Sequence, residues 1–182
     1  MRSFLAVALP ESLRQALVRV QAAVPVGRPV DEDNLHLTLA FLDDQPDHAL
    51  AALHDALVAR SLPAARLDVS GIALFGGRVP RLLAADVVRE PGLVALRDAC
   101  LGAVREAGIA LPRSRFRPHV TLVRFGPGIR DARPRLERAV AALAGLRLPG
   151  MAAEAVGLHA STLTPAGPVY EELARYGLGG MQ

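Results

Sequence analysis

Four side chains stand out for the chemistry they could do together: His36, Thr38, His119 and Thr121. They belong to one short pattern that occurs twice, His36-Leu37-Thr38-Leu39 and His119-Val120-Thr121-Leu122. Histidine is the side chain best suited to moving protons near neutral pH. Two of them across a cleft can act as acid and base in one turnover, each worth roughly 10²–10⁴ in rate. In a strand, a threonine two residues on lies ~6.6 Å along the same face. Its hydroxyl can hold an anionic oxygen while the imidazole reaches the reacting atom. Two such hydroxyls and an arginine could grip the non-bridging oxygens of a phosphate and stabilise its charge in the transition state. The pattern suits in-line displacement at phosphorus without a metal.

One His-x-Thr strand alone says little, because a lone histidine is more often structural. Two copies in matched surroundings say more. A metal is the rival use of the histidines. Zinc wants three or four N, S or O ligands, whereas each strand supplies one imidazole and no carboxylate two residues on. The single Cys100 sits in an apolar helical stretch and reads as a buried structural thiol. No metal and no other cofactor is expected. His48 and His54 read as surface residues on a helix, and His159 as a structural residue at a strand edge. There is no glycine-rich nucleotide loop and no Gly-x-Ser-x-Gly elbow.

Strands must position the four residues. Each copy lies in an apolar, β-prone run, Asn34-Leu35-His36-Leu37-Thr38-Leu39-Ala40-Phe41 and Pro118-His119-Val120-Thr121-Leu122-Val123. Side chains alternate faces along a strand. His36 and Thr38 then share one face, and Leu35, Leu37, Leu39 and Phe41 the other, so Phe41 reads as core, although Phe41, Phe116 and Phe125 could each stack a base. Helical spacing predicts helices beginning at Glu11 and spanning 46–60, 90–107 and 131–143. Strands are predicted over 4–9, 66–75, 81–88, 146–148 and 152–163, and the glycine-rich end at 177–180 reads as frayed. Each half reads strand, helix, His-x-Thr strand, helix, strand. This predicts an α+β protein of two pseudo-symmetric lobes, each an antiparallel sheet with helices on its outer face and the active-site cleft between them. The whole chain, 1–182, reads as a single bilobal domain with pseudo-repeats of about 1–78 and 79–175.

With 182 residues and 51% hydrophobic content, the chain can bury a core. No apolar run approaches the 18 residues of a membrane span, and the N-terminal apolar stretch reads as a first strand, so a cytoplasmic protein with no membrane partner is expected, as a monomer. Net charge is +3, and all 21 basic residues are arginine. Arg113, Arg115, Arg117 and Arg124 crowd around the second motif. Arginine donates bidentately to phosphate, so a polyanionic partner is expected.

The motifs Asn34-Leu35-His36-Leu37-Thr38-Leu39-Ala40-Phe41-Leu42 and Arg117-Pro118-His119-Val120-Thr121-Leu122 stand between two further stretches. These are Phe4-Leu5-Ala6-Val7-Ala8-Leu9-Pro10 and Ser161-Thr162-Leu163-Thr164-Pro165-Ala166-Gly167-Pro168-Val169-Tyr170. Together they resemble the two-histidine phosphoesterase superfamily, and within it the RNA 2′,3′-cyclic phosphodiesterase family, also known as LigT-like 2′-5′ RNA ligases. The resemblance runs from about Arg2 to Leu173. It implies metal-independent hydrolysis of an RNA or nucleotide 2′,3′-cyclic phosphate end to a 2′-phosphomonoester. By resemblance, His36 is the proton donor and His119 the proton acceptor, while Thr38, Thr121 and Arg124 bind the phosphate. Strict alternation puts Arg124 on the face opposite His119, so that role requires a bulge or a strand end near Val123. Asp43 stands where the family often has glycine. Two alternatives stay open: reversible 2′-5′ RNA ligation of tRNA halves in the same site, and a non-catalytic RNA- or nucleotide-binding module.

Overall fold

The computed structural model describes residues 1–165 and 167–179. The elements in chain order are β1 (Arg2–Ala8), α1 (Glu11–Ala22), β2 (Arg28–Pro29), β3 (His36–Asp44), α2 (Asp47–Val58), β4 (Arg66–Phe75), β5 (Leu82–Val87), α3 (Pro91–Glu106), β6 (His119–Arg124), α4 (Arg133–Ala142), β7 (Leu148–Ala152), β8 (Ala155–Thr164) and β9 (Gly167–Gly177). The protein is of the α+β class, as expected. The antiparallel strands run in the order β7-β4-β5-β6-β3-β1-β8-β9, with β2 also pairing with β6. Two four-stranded groups, β7-β4-β5-β6 and β3-β1-β8-β9, are thus joined edge to edge into one sheet. Their junction is the pairing of Leu37 in β3 with Val120 in β6.

The repeated element order is visible in the topology, with a crossover. In each half the histidine strand lies beside the first strand: β3 beside β1, and β6 beside β5. The next strand then crosses over. β4 pairs with β5, and β8 pairs with β1. Each group therefore takes strands from both halves of the chain.

The apolar patterning explains which face is buried. The helices bury stripes that include Leu13 and Leu17 on α1, Leu53 and Leu57 on α2, Leu93, Leu96 and Cys100 on α3, and Leu136 on α4. These close on Leu37, Leu39, Val120 and Leu122 of the histidine strands in one core. Alternation then leaves His36, Thr38, His119 and Thr121 on the other face. Cys100 is fully buried, and burial pushes its thiol up to about 12. That agrees with a packing role, since the thiolate is the reactive form. Among the described residues no helix is long and apolar enough to cross a membrane.

Two strands carry little sequence signal. β9 is an edge strand whose residues are mostly exposed apart from Tyr176, so it lacks the alternation that marks a half-buried strand. β2 is only two residues long and falls in the loop expected around Pro25 and Pro29. Its entry is set by Gly27 at φ +85°, where a side chain would collide with Phe125 and Val123. The end expected to fray is tied down as far as Gly179, whose N–H donates to Leu62 O at 3.0 Å, while Gly180 lies outside the described residues.

The start of α3 sets the placement of Arg97 on the cleft side. Pro91 occupies the first turn, and the Glu90 carboxylate accepts from the backbone N–H of Gly92 at 3.0 Å, Leu93 at 2.9 Å and Arg66 at 3.2 Å. Burial pushes the Glu90 carboxyl up, but these hydrogen bonds outweigh it and hold the group below its ordinary value. A depressed carboxyl contributes stability above its unfolded pKa and loses it as pH falls through the folded one. Glu90→Ala is expected to cost about 1 kcal/mol at neutral pH. The difference from wild type should shrink when urea unfolding is repeated at acid pH.

Candidate active site

The site is built on the β3–β6 junction. Because Leu37 lies opposite Val120 in an antiparallel pair, His36 falls opposite Thr121 and Thr38 opposite His119. Directly opposite side chains stand about 5 Å apart. The four residues thus form a quadrilateral, with imidazoles on one diagonal and hydroxyls on the other. Each imidazole is oriented by its own strand lead-in. His36 Nδ1 lies 2.7 Å from Asn34 O, and His119 Nδ1 lies 2.8 Å from Arg117 O. A carbonyl can only accept, so each Nδ1 carries the proton and donates it. That leaves both Nε2 atoms free to take up or give a proton.

Both histidine strands bulge at the same point, three residues after the histidine. In β3, Ala6 pairs with Thr38 and Leu5 with Ala40, so Leu39 is the extra residue. In β6, Ala84 pairs with Thr121 and Leu83 with Val123, so Leu122 is the extra residue. Leu39 and Ala40 are both buried, as are Leu122 and Val123. Alternation resumes one residue out of phase. The fifth residue after each histidine therefore returns to the histidine face: Phe41 in one strand and Arg124 in the other. The bulge that Arg124 needs is present. Phe41, in contrast, is corrected: it is 64% exposed and faces the site instead of the core.

Two cavities open on this face. One of about 760 Å³ is lined by Thr38 and His119 together with Arg97, Arg105, Arg113, Arg115 and Arg117. The other, about 340 Å³, is lined by His36 and Arg124 together with Phe4 and Tyr170. Phe41 and Asp43 border both. Thr121 lines neither cavity and is half-buried beside His119. Phe116 lies under the Arg97 guanidinium at 4.7 Å, while Phe125 packs away from the site against Gly27.

Aromatic rings hold the imidazoles in place. His36 stacks on Phe4 at 4.9 Å and meets the edge of Tyr170 at 5.3 Å. The far side of Phe4 is stacked by His159 at 5.0 Å. The expected structural role of His159 is thus packing against the ring that supports His36, and Gly157 leaves the room its imidazole fills. His119 packs on Phe75 at 4.6 Å, and the Arg117 guanidinium lies 4.1 Å from the centroid of the same ring. Arg117 also pairs with Asp86 at 3.4 Å, and Asp86 is the cross-strand partner of His119. Phe4, Phe75, Asp86 and Tyr170 are site residues that spacing cannot announce, because they come from four other strands. His54 shares a hydrogen bond of 2.9 Å with Tyr176, and His48 is exposed on α2, both away from the site. Among the described residues no three His, Cys, Asp or Glu side chains gather as a metal-sized cluster.

Burial lowers His36 most, and charge repulsion from His159, Arg124 and His119 adds to it against the opposing hydrogen bond to Asn34, which together bring it to about 4. Burial also lowers His159. With a folded value near 4 and an ordinary value of 6.5, the unfolded chain binds the extra proton between these limits. Stability should therefore rise with pH across that window. Replacing His36 with Gln should flatten the rise, measured by urea unfolding from pH 4 to 7. An NMR titration should show His36 charging only near pH 4, and at higher pH once inorganic phosphate is bound.

The sequence profile of the LigT like Phosphoesterase family matches residues 7–83 and 87–170. An RNA 2′,3′-cyclic phosphodiesterase of Thermus thermophilus is 37% identical over 99% of this chain and 91% of its own length. One of Geobacillus stearothermophilus is 33% identical over 76% of this chain, a match that spans 46% of that relative's length. The crystal structure of E. coli LigT complexed with 3′-AMP superposes with a TM-score of 0.74 and 26% identity, covering 97% of both chains.

Proposed function

The chain belongs to the LigT-like phosphoesterase family, and we propose that it hydrolyses the 2′,3′-cyclic phosphate at an RNA end to a 2′-phosphomonoester, with His36 and His119 as its proton carriers. The observation that supports this reading is the β3–β6 register, which puts His36, Thr38, His119 and Thr121 on one face of two neighbouring strands. The relatives' names and the nucleotide bound by E. coli LigT support the substrate class.

Water attacks phosphorus as its proton passes to His119 Nε2. The P–O3′ bond breaks, and O3′ takes the proton that His36 Nε2 gives up. The products are a 2′-phosphate and a free 3′-hydroxyl. Thr38 and Thr121 donate to the non-bridging oxygens, and Arg124 offsets the charge that builds on them. Every step uses groups of the chain itself, so activity should persist in EDTA. His36→Ala and His119→Ala are each expected to lower kcat by roughly 10²–10⁴ with the melting transition kept. Loss of wild-type hydrolysis in EDTA, restored by a divalent ion, would contradict the metal-free mechanism.

The depressed His36 favours a second reading, in which the two histidines exchange roles. A neutral imidazole is ready to accept a proton. It becomes a donor only when the bound phosphate monoanion offsets its positive neighbours. A substrate whose 3′ bridging oxygen is replaced by sulfur separates the readings, since a thiolate leaves without a proton. This substrate should rescue His36→Ala and not His119→Ala. Rescue of His119→Ala alone would establish the exchanged roles.

A further inference from the structure

We infer that Gln21, buried on the helical side of the sheet, is a positioning residue for the reaction: its amide pins the β6 bulge that turns Arg124 toward the phosphate. The role rests on the hydrolytic reading above, in which Arg124 offsets charge on the phosphate oxygens.

A bulge leaves the backbone of its extra residue outside the ladder. In β6 that residue is Leu122, passed over between the pairs Thr121–Ala84 and Val123–Leu83. The Leu122 side chain is fully buried, and its carbonyl takes donors from outside the neighbouring strand β5. The backbone N–H of Val30 donates to it at 2.8 Å, and Gln21 Nε2 also at 2.8 Å. The same Nε2 donates to Val30 O at 2.8 Å. Both hydrogens of the amide are thus used, and two facing carbonyls settle which end of it is the nitrogen. Gln21 is 8% exposed and sits in the last turn of α1, the helix packed on β6. It interrupts the apolar stripe of Leu13, Leu17 and Val20. Burying an amide there is unfavourable unless its hydrogen bonds are made, and the bulge carbonyl is what it meets.

The short strand β2 holds this bulge weakly by itself. Only Arg28 and Pro29 pair with β6, opposite Arg124 and Val123, and a proline has no N–H to give. The Gln21 amide supplies the missing cross-link between the two segments. Two residues beyond Leu122, Arg124 lines the smaller cavity beside His36. Its aim depends on the bulge, since strict alternation would put it on the opposite face.

The other half of the pseudo-repeat is built alike. Leu39 is the bulged residue of β3, and its carbonyl accepts from Arg97 Nε at 3.1 Å. Arg97 belongs to α3, which packs on β3 as α1 packs on β6. Each bulge is held by a side-chain N–H from the helix that follows the first strand of the opposite half. Glutamine and arginine share little except the ability to donate to that carbonyl, so the contact tracks the bulge and not a common packing need.

The experiment crosses Gln21→Met with Arg124→Ala and measures kcat, KM and melting for all four proteins. The substrate is a short oligoribonucleotide ending in a 2′,3′-cyclic phosphate. Methionine is unbranched, fills irregular gaps and gives no N–H. Alone it should lower kcat by roughly 10–10²-fold, the scale of a group misplaced by about 1 Å, with KM changed less. In the Arg124→Ala background it should cost little more, because the group it positions is gone. His36 should also titrate at higher pH in Gln21→Met than in wild type, since Arg124 is one of the charges that lower it. Gln21→Leu, which extends the apolar stripe, carries the same expectations where the methionine variant fails to fold. A merely structural residue would lower kcat by the same factor in both backgrounds. That result, or full kcat in both Gln21 variants, would overturn the role and leave the hydrolytic reading standing. Absence of hydrolysis by the wild type would overturn both.

Discussion

The chemistry of this protein depends on one backbone contact, the antiparallel pairing of Leu37 with Val120. Two four-stranded groups meet there, and both residues are fully buried on the helical side. The pairing sets the register in which each histidine faces the other strand's threonine. A slip by one residue would turn His36 and Thr38 into the core and expose Leu37 and Leu39. The apolar residues of the two motifs are thus what fixes the polar ones. β2 reinforces this register from one side, as Arg28 and Pro29 pair with Arg124 and Val123. Gln21 closes the gap between β2 and β6, its amide donating to both Val30 O and Leu122 O at 2.8 Å.

The crossover of β4 and β8 ties the two strand groups together. A short pairing between two self-contained sheets would hinge readily. Here β4 leaves the first half to pair with β5, and β8 returns from the second half to pair with β1. Neither half of the chain can complete its own sheet. The same crossover brings His159 and Tyr170 from the last strands to the Phe4 ring beneath His36, which gives the two imidazoles unlike surroundings. His36 is enclosed by rings, whereas His119 rests on Phe75 and looks toward the arginine-lined cavity.

The sequence made the histidine strands, the four helices and the α+β class legible, because each is an alternation or a helical stripe over many residues. Period-two alternation failed at one kind of place. It cannot foresee a bulge, and both strands bulge at the leucine after the threonine, so Phe41 was assigned to the core and Arg124 to the wrong face. The repeat itself was the available clue, since the apolar pairs Leu39-Ala40 and Leu122-Val123 each break alternation at the same spacing from a histidine. Short β2 and exposed β9 had too little apolar pattern to be seen. The ring stack on His36 joins β1, β3, β8 and β9, a grouping that exists only once the strands have been ordered.

Charge ties the two ends of this arrangement together. The cavities are lined with arginine, and His36 sits in that field with a proton affinity lowered by burial and by Arg124, His119 and His159. A phosphate placed on the quadrilateral adds the opposite charge at short range, where the low dielectric of a half-buried site strengthens its effect. It must raise the proton affinity of His36, and by linkage a protonated His36 must bind phosphate more tightly by the same factor. On the proposed function, substrate binding and protonation of His36 are one coupled event. The ring enclosure that leaves His36 unprotonated by itself also makes its charge state respond to a nearby anion, whereas an imidazole in open water would ionise with little regard to what was bound.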